Sequence, residues 1–358
     1  MLLVAAPAWG GPASWPDSDL DFLPAPDRSL SLLAEVNILA VLATEELAAY
    51  PGSLRLATGE PELALARAGL LGRLDRVDAY GLLRADFSAA LRMRRRDAID
   101  RPLAAAGEMI PDAALRWRPR RELGIAAGRK TPPFSRFRQI ERSGQIGSAP
   151  PFVIDRIAPE ARWGAAAIGE TSQVAYAAGV YGDAPELELP GAVGDPSEDG
   201  RAIVAARVTR PIHGPSGQAA RPLATHNPGH EQLRFELGAG ALWRLRGAGR
   251  GHRVDASASA HAAYRRWAGV VEVVGHRAPG VRALGAAGEV GFLASSRAVV
   301  ELRGDVDPEL GLWSGGGGAT YFATENRRNA ISLYGYLRRP LGGGARRDAL
   351  LLALRASL

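Results

Sequence analysis

Between residues 110 and 135 the chain alternates apolar and polar side chains twice in succession, turns tightly on a basic stretch, and then stops on paired prolines. Ala113, Leu115 and Trp117 share one side of the first segment, with Asp112, Ala114 and Arg116 on the other. After Arg118, Pro119, Arg120 and Arg121, the second segment sets Leu123, Ile125 and Ala127 against Glu122, Gly124, Ala126 and Gly128. A period of two puts successive residues on opposite faces of an extended strand, so the stretch reads as a β-hairpin with one apolar face. In a water-soluble sandwich such alternation lasts one short strand at a time. A barrel in a bilayer must repeat it along the chain, apolar residues toward lipid and polar residues toward the lumen.

It does repeat. Val77, Ala79, Gly81, Leu83, Ala85 and Phe87 alternate with Asp78, Tyr80, Arg84, Asp86 and Ser88. The longest case sets Leu233, Phe235, Leu237, Ala239, Ala241, Trp243 and Leu245 against Gln232, Arg234, Glu236, Gly238, Gly240 and Arg244. Val254 to Ala262 alternates with Arg253, Asp255, Ser257, Ser259 and His261; Ala298, Val300 and Leu302 alternate with Arg297, Glu301 and Arg303. The last residues repeat the pattern around Arg355. Segments of this length suit a tilted strand crossing a bilayer, which needs about 9–11 residues. Charged faces in a dry core would need pairing throughout, whereas a watery lumen removes that cost.

The links between these segments alternate as well. Working back from the end, short turns are expected at 325–329, 294–296, 264–266, 170–172 and 118–121, with longer links at 305–314, 276–283, 183–200, 131–161 and 89–109. Two places strain the parity: 211–231 is long where a short turn is expected, and 247–251 is short where an outer loop is expected. Residues 30–47 fit a helix and a strand equally well. The expected fold is therefore an all-β, transmembrane, antiparallel up-and-down β-barrel of about sixteen strands, with fourteen as the fallback. It has short periplasmic turns and long outer loops.

Composition is consistent with this and excludes other classes. The 358 residues are 46% hydrophobic and 23% charged, enough for a large ordered structure. No uninterrupted apolar run reaches the roughly eighteen residues of a spanning helix, since Glu35 and Asn37 break the best candidate. Cysteine is absent. Basic residues exceed acidic ones, 44 to 38, and Lys130 is the one lysine among them, so an anionic partner and a compositional arginine bias are both open. Residues 1–8 are apolar and close on Ala6, Pro7 and Ala8, in the form of the end of a secretory signal without its basic start. We read 1–28 as a signal-peptide remnant and irregular lead-in, and 29–358 as a single barrel domain.

The order strand, basic turn, strand, and then Gly128, Arg129, Lys130, Thr131, Pro133, Phe134 and Ser135 is similar to the phosphate-selective porins of the O and P type. There a strand ends in Gly, followed by Lys, Pro and a Phe-Ser pair, and opens the long third loop. Residues 82–87 and 174–183 resemble the flanking strands of that family, and the likeness spans 82–183. On this alignment Thr131 stands where the family has its lysine, with Lys130 one residue early. The resemblance implies a porin in the outer membrane of a Gram-negative-type envelope. Loop 131–161 would fold inward and narrow the pore, and the barrels would associate as a homotrimer. Candidate constriction residues are then Arg129, Lys130, Arg136, Arg138 and Arg142. Arginines assigned inward by the alternation, and so candidates to line the pore, are Arg84, Arg116, Arg207, Arg234, Arg244, Arg253, Arg297, Arg303 and Arg355. Rings of positive side chains favour anions in a pore.

The expected activity is passive diffusion of small hydrophilic solutes, with phosphate-like anions preferred. No reaction and no cofactor are expected. The partners are outer-membrane lipid and the solute. Ser257, Ser259 and His261 lie on one strand face with Asp255, as a membrane-embedded lipid hydrolase would need, but a solvated wall explains them more simply. His226 and His230 have helical ligand spacing, which Pro228 and Gly229 break. Gly315 to Gly318 lacks the Lys-Ser/Thr of a phosphate loop. Arginines spread over every strand, with no recognition helix, argue against nucleic acid. A non-conducting barrel serving as envelope scaffold or adhesin is the remaining alternative.

Overall fold

The computed structural model describes residues 28–46, 54–58, 63–74, 77–86, 112–120, 122–139, 151–159, 161–171, 173–182, 200–213, 230–246, 252–278, 281–309, 311–323, 330–341 and 347–357. These carry seventeen strands: β1 Arg28–Glu46, β2 Leu54–Thr58, β3 Leu63–Leu74, β4 Val77–Asp86, β5 Asp112–Arg120, β6 Leu123–Lys130, β7 Arg162–Glu170, β8 Ala175–Tyr181, β9 Gly200–His213, β10 His230–Arg246, β11 Arg253–Arg265, β12 Trp267–Ala278, β13 Val281–Ser295, β14 Ala298–Asp307, β15 Leu312–Phe322, β16 Ala330–Pro340 and β17 Arg347–Ser357. Two short helices, α1 (Arg136–Gln139) and α2 (Phe152–Ile157), lie between β6 and β7. No described helix is long and apolar enough to cross a membrane.

All the strands belong to one antiparallel sheet, and each from β3 to β17 pairs with its neighbour in sequence. β1 has partners on both flanks: β17 on one, in the register Ile38↔Leu354, and β2 and β3 on the other, in the registers Ala43↔Ala57 and Ala34↔Ala68. Of residues 30–47, ambiguous by periodicity, 30–46 are thus strand and residue 47 lies outside the described residues. Pairing on both sides, not local pattern, decides the matter.

The alternation gives the sheet two unlike faces. On β5, Leu115 and Trp117 are 54% and 49% exposed while Arg116 between them is 1% exposed. On β10 and β11, Leu237, Trp243 and Val254 are exposed, and Arg234, Glu236, Asp255, Ser257, Ser259 and His261 are buried. This inverts a water-soluble sheet, which hides its apolar face. Exposed aromatic residues gather at two levels. Trp163, Trp243 and Trp313 lie near the long-link end; Trp117, Tyr264, Trp267 and Tyr321 lie near the short-turn end. Trp243 pairs with Val254, and Tyr264 lies ten residues further along β11. That distance is about 33 Å along the strand at about 3.3 Å per residue, or about 25 Å along the axis at a tilt of about 40°.

The links follow the expected parity at one end better than the other. Tight turns join Leu74 to Val77, Tyr264 to Trp267 and Ser295 to Ala298 at the short-turn end. Two links expected to be long are short. Ala278 pairs with Val281 across two residues, and Asp307 pairs with Leu312 across four. Strand pairing simply continues further: His276 pairs with Ala283, and Asp305 with Ser314. The strained position is confirmed as long, since β9 ends at His213 and β10 begins at His230.

Candidate functional site

Residues 131–139 and 151–159 carry the folded-in segment. It lies against the buried face of the sheet and supplies that face with an apolar core. Phe134, Phe137, Val153, Ile154 and Ile157 are buried in one cluster with Leu242, Val270, Val274 and Ala287 of the wall. α2 packs on β12, β13 and β14. Leu242, Val270 and Val274 are inward-facing apolar residues on strands whose outer faces are also apolar. Their burial under the segment removes from water what would otherwise be a greasy patch on a polar surface.

Two residues before β6 ends at Lys130 and the segment begins, Gly128 has a φ of 145°, a backbone conformation open to glycine and rarely adopted by other residues. Two further glycines mark close approach. A Cβ on Gly240 would overlap the carbonyl oxygen of Phe134, and one on Gly285 would overlap Val153. The wall is therefore bare at these two points so that the segment can sit down on it.

Polar anchors surround this apolar contact. Glu272, fully buried on β12, accepts three hydrogen bonds from the start of α1. The donors are Ser135 Oγ at 2.8 Å, the Arg136 amide at 2.9 Å and the Phe137 amide at 3.1 Å. A carboxylate has about four lone-pair sites, so three are used on one turn of chain. The Phe134 carbonyl in turn accepts from Arg207 Nη1 and Ser257 Oγ, both at 2.9 Å. Arg207 also donates to Ser259 Oγ at 2.5 Å and lies 3.7 Å from Glu272. Arg136 reaches Glu236 at 3.1 Å, Arg138 donates to the Ala158 carbonyl at 3.3 Å, and Arg244 donates to the Ile157 carbonyl at 3.0 Å.

The sequence-derived residues divide accordingly. Arg136, Arg138, Arg207 and Arg244 meet at the segment; Arg234 joins them through Glu236 at 3.3 Å, and Arg253 through Asp255 at 2.8 Å. Arg116, Arg129 and Lys130 are buried on the neighbouring strands β5 and β6. Arg303 of β14 pairs with Glu289 of β13 at 2.6 Å. Arg297 departs from its assignment. It sits exposed in the β13–β14 turn, because pairing with β13 starts β14 only at Ala298, one residue after the apolar–polar alternation begins in sequence. The side chains of Arg84 on β4 and Arg355 on β17 lie outside the described residues, as does Arg142 entirely. Ser257 and Ser259, weighed as nucleophiles, have hydroxyls engaged with the Phe134 carbonyl and Arg207. No cluster able to hold a metal ion occurs among the described residues.

Glu272 and the bare glycines were not singled out from sequence. A signal existed. Glu272 stands between Val270, Val271, Val273 and Val274, and its cross-strand neighbours are Ser259 and Ala287, neither of them basic. An inward carboxylate with no basic residue directly across either ladder draws its partners from elsewhere, here Arg207 of β9 and the segment.

An antiparallel sheet with its first strand paired on both flanks, an apolar exposed face, a charged buried face and a helical segment folded against the latter has the porin type of β-fold. Comparison with solved structures agrees. OmpF of Salmonella typhi, in complex with daunomycin, superposes with a TM-score of 0.58 at 10% identity, over 92% of this chain and 98% of that one. The anion-selective porin from Comamonas acidovorans gives 0.54 at 11% identity, over 92% and 100%. A porin mutant from Rh. blastica gives 0.51 at 12%, over 92% and 100%. No family model matches the sequence, and a comparison with curated proteins returns no match.

Proposed function

We propose that this protein is an outer-membrane porin. Its β2 and β3 act as one stave of a closed sixteen-staved barrel, and residues 131–161 narrow the water-filled path. The observation that carries this is the pairing of two facts. The exposed face is apolar between two aromatic levels about 25 Å apart by strand rise and tilt, and the face that carries the charges is buried with a loop folded upon it. Among the described side chains linked to the segment by these contacts, six arginines (Arg136, Arg138, Arg207, Arg234, Arg244 and Arg253) accompany three carboxylates (Glu236, Asp255 and Glu272). A low-dielectric surround focuses that excess of positive charge, which favours anions.

Preference for phosphate-like anions and assembly as a homotrimer are finer parts of the same reading, and rest on the likeness of residues 82–183 to the phosphate-selective porins. Transport without chemistry is part of it too, in keeping with the structural use of the Ser257 and Ser259 hydroxyls. A second reading is favoured by one observation: the near-complete burial of Glu272 and Arg207 beneath the segment is also what a plugged scaffold barrel would have. Planar-bilayer recording separates the two. The porin gives discrete conductance steps from a heat-modifiable, detergent-extracted species, whereas the scaffold gives the species without the steps.

A further inference from the structure

We propose that the arc of the short-turn end formed by the β11–β12 and β13–β14 turns binds the anionic headgroups of the phospholipid leaflet it meets, through Arg265, Arg266 and Arg297. The proposal rests on the bilayer-spanning reading above. The two turns form one continuous stretch of rim. The Arg266 carbonyl accepts from the Leu293 amide at 2.8 Å, and the Arg297 carbonyl accepts from the Phe322 amide at 2.7 Å, so each turn is tied to the strand beyond it. All three arginines are exposed.

Just inside this arc the outward face carries Tyr264, Trp267 and Tyr321, with Phe292 against Trp267 at a centroid separation of 4.5 Å. Aromatic girdles of this kind mark the membrane-water interface. Residues one position beyond them stand at the level of the lipid phosphates. Arg265 is held on the lipid side of the rim: its guanidinium carbon lies 5.1 Å from the centroid of the outward-facing Tyr264 ring.

The backbone of Arg265 supplies an independent indication. Its φ is 51°, and it is the sole described non-glycine residue with positive φ. That conformation is disfavoured for a long side chain and suits Gly or Asn. At this position the long side chain is the part that meets the outward-facing Tyr264 ring. The three arginines stand exposed on two successive turns of the rim, which suits a surface of many phosphates better than one free anion.

The test uses native mass spectrometry of the full chain in mixed micelles of phosphatidylglycerol and phosphatidylcholine, counting retained lipid. Each basic residue near an anionic surface contributes about five-fold, so wild type is expected to favour phosphatidylglycerol at least about ten-fold at low salt. The preference should shrink in high salt. The triple variant Arg265→Gln, Arg266→Gln, Arg297→Gln should fall to within about two-fold of no preference. Arg277→Gln, an exposed arginine at the opposite end of β12, should leave it unchanged. Full preference in the triple variant, none in wild type, or equal loss in Arg277→Gln would each overturn the collar. Heat-modifiable mobility and conductance are read on the same samples. Their absence from wild type would overturn the porin reading, and the lipid count would still decide the collar.

Discussion

On β13 to β15 the inward carboxylates Glu289 and Asp305 find partners straight across the ladder, whereas Glu272 on β12 and Ser257 on β11 are engaged by a segment far away in sequence. Glu289 faces Arg303 in register and bonds to it at 2.6 Å; Asp305 faces Ser314 and accepts from it at 2.6 Å. Glu272 instead receives Ser135 and Arg136, 137 and 136 residues away, and Ser257 reaches Phe134 over 123. The first region spends its polar groups on the wall itself. The second spends them on holding something against the wall. Loss of a group should therefore have local consequences in the first region, and consequences for the whole channel in the second.

The largest expected effect follows from Glu272→Ala. It leaves a buried hydroxyl and two buried amides without their acceptor and removes the carboxylate beside Arg207, and breaking a buried charged set in this way costs about 3–5 kcal/mol. The segment should come away from the wall. Single-channel conductance is expected to rise several-fold, and residues 131–161 should become open to limited proteolysis. The matched change in the other region, Asp305→Ala, should alter neither.

The same contrast runs through the thickness of the wall. Leu237 is exposed on the apolar face and Gly238 faces inward toward Arg207 and Ser259. Leu237→Arg should destabilise the barrel by about 2–4 kcal/mol at mid-bilayer in urea unfolding from lipid. Gly238→Ala, whose added methyl group meets only the movable ends of Arg207 and Ser259, should chiefly change conductance. Equal effects on both readouts would mean the faces are misassigned.

A smaller displacement tests the bare contact. Gly240→Ala puts a methyl group where the Phe134 carbonyl lies, and overpacking of this kind costs about 1–3 kcal/mol. Conductance should shift while the barrel stays folded and heat-modifiable. The smallest effect belongs to the ladder: Ser314→Ala removes one bond to Asp305, worth about 0.5–1.5 kcal/mol. It should lower stability slightly and leave conductance as it was.

How far this was legible depends on how local the cause is. The two faces of β5, β10 and β11 could be read from Leu115, Arg116 and Trp117 or from Leu237 and Gly238, because the side-chain period of a strand is set by its own backbone. The ends of strands were less legible. Arg297 falls in a turn, and His276 and Asp305 fall in strands, because pairing with a neighbour decides where a strand stops. The docking site was the least legible part. The skip at Leu242 in an otherwise polar inward series, and the lone carboxylate of Glu272 among valines, are visible in sequence. Their meaning depends on a segment brought to them by the fold.

The most direct test of the central claim, that residues 131–161 narrow a water-filled path and set its ion preference, is the reversal potential across a planar bilayer in a potassium chloride gradient. Wild type is compared with Lys130→Gln, Arg136→Gln, Arg138→Gln. The account predicts anion preference in wild type and a shift toward cations in the triple variant, with heat-modifiable mobility retained in both. An unchanged reversal potential in a folded, conducting triple variant would contradict it.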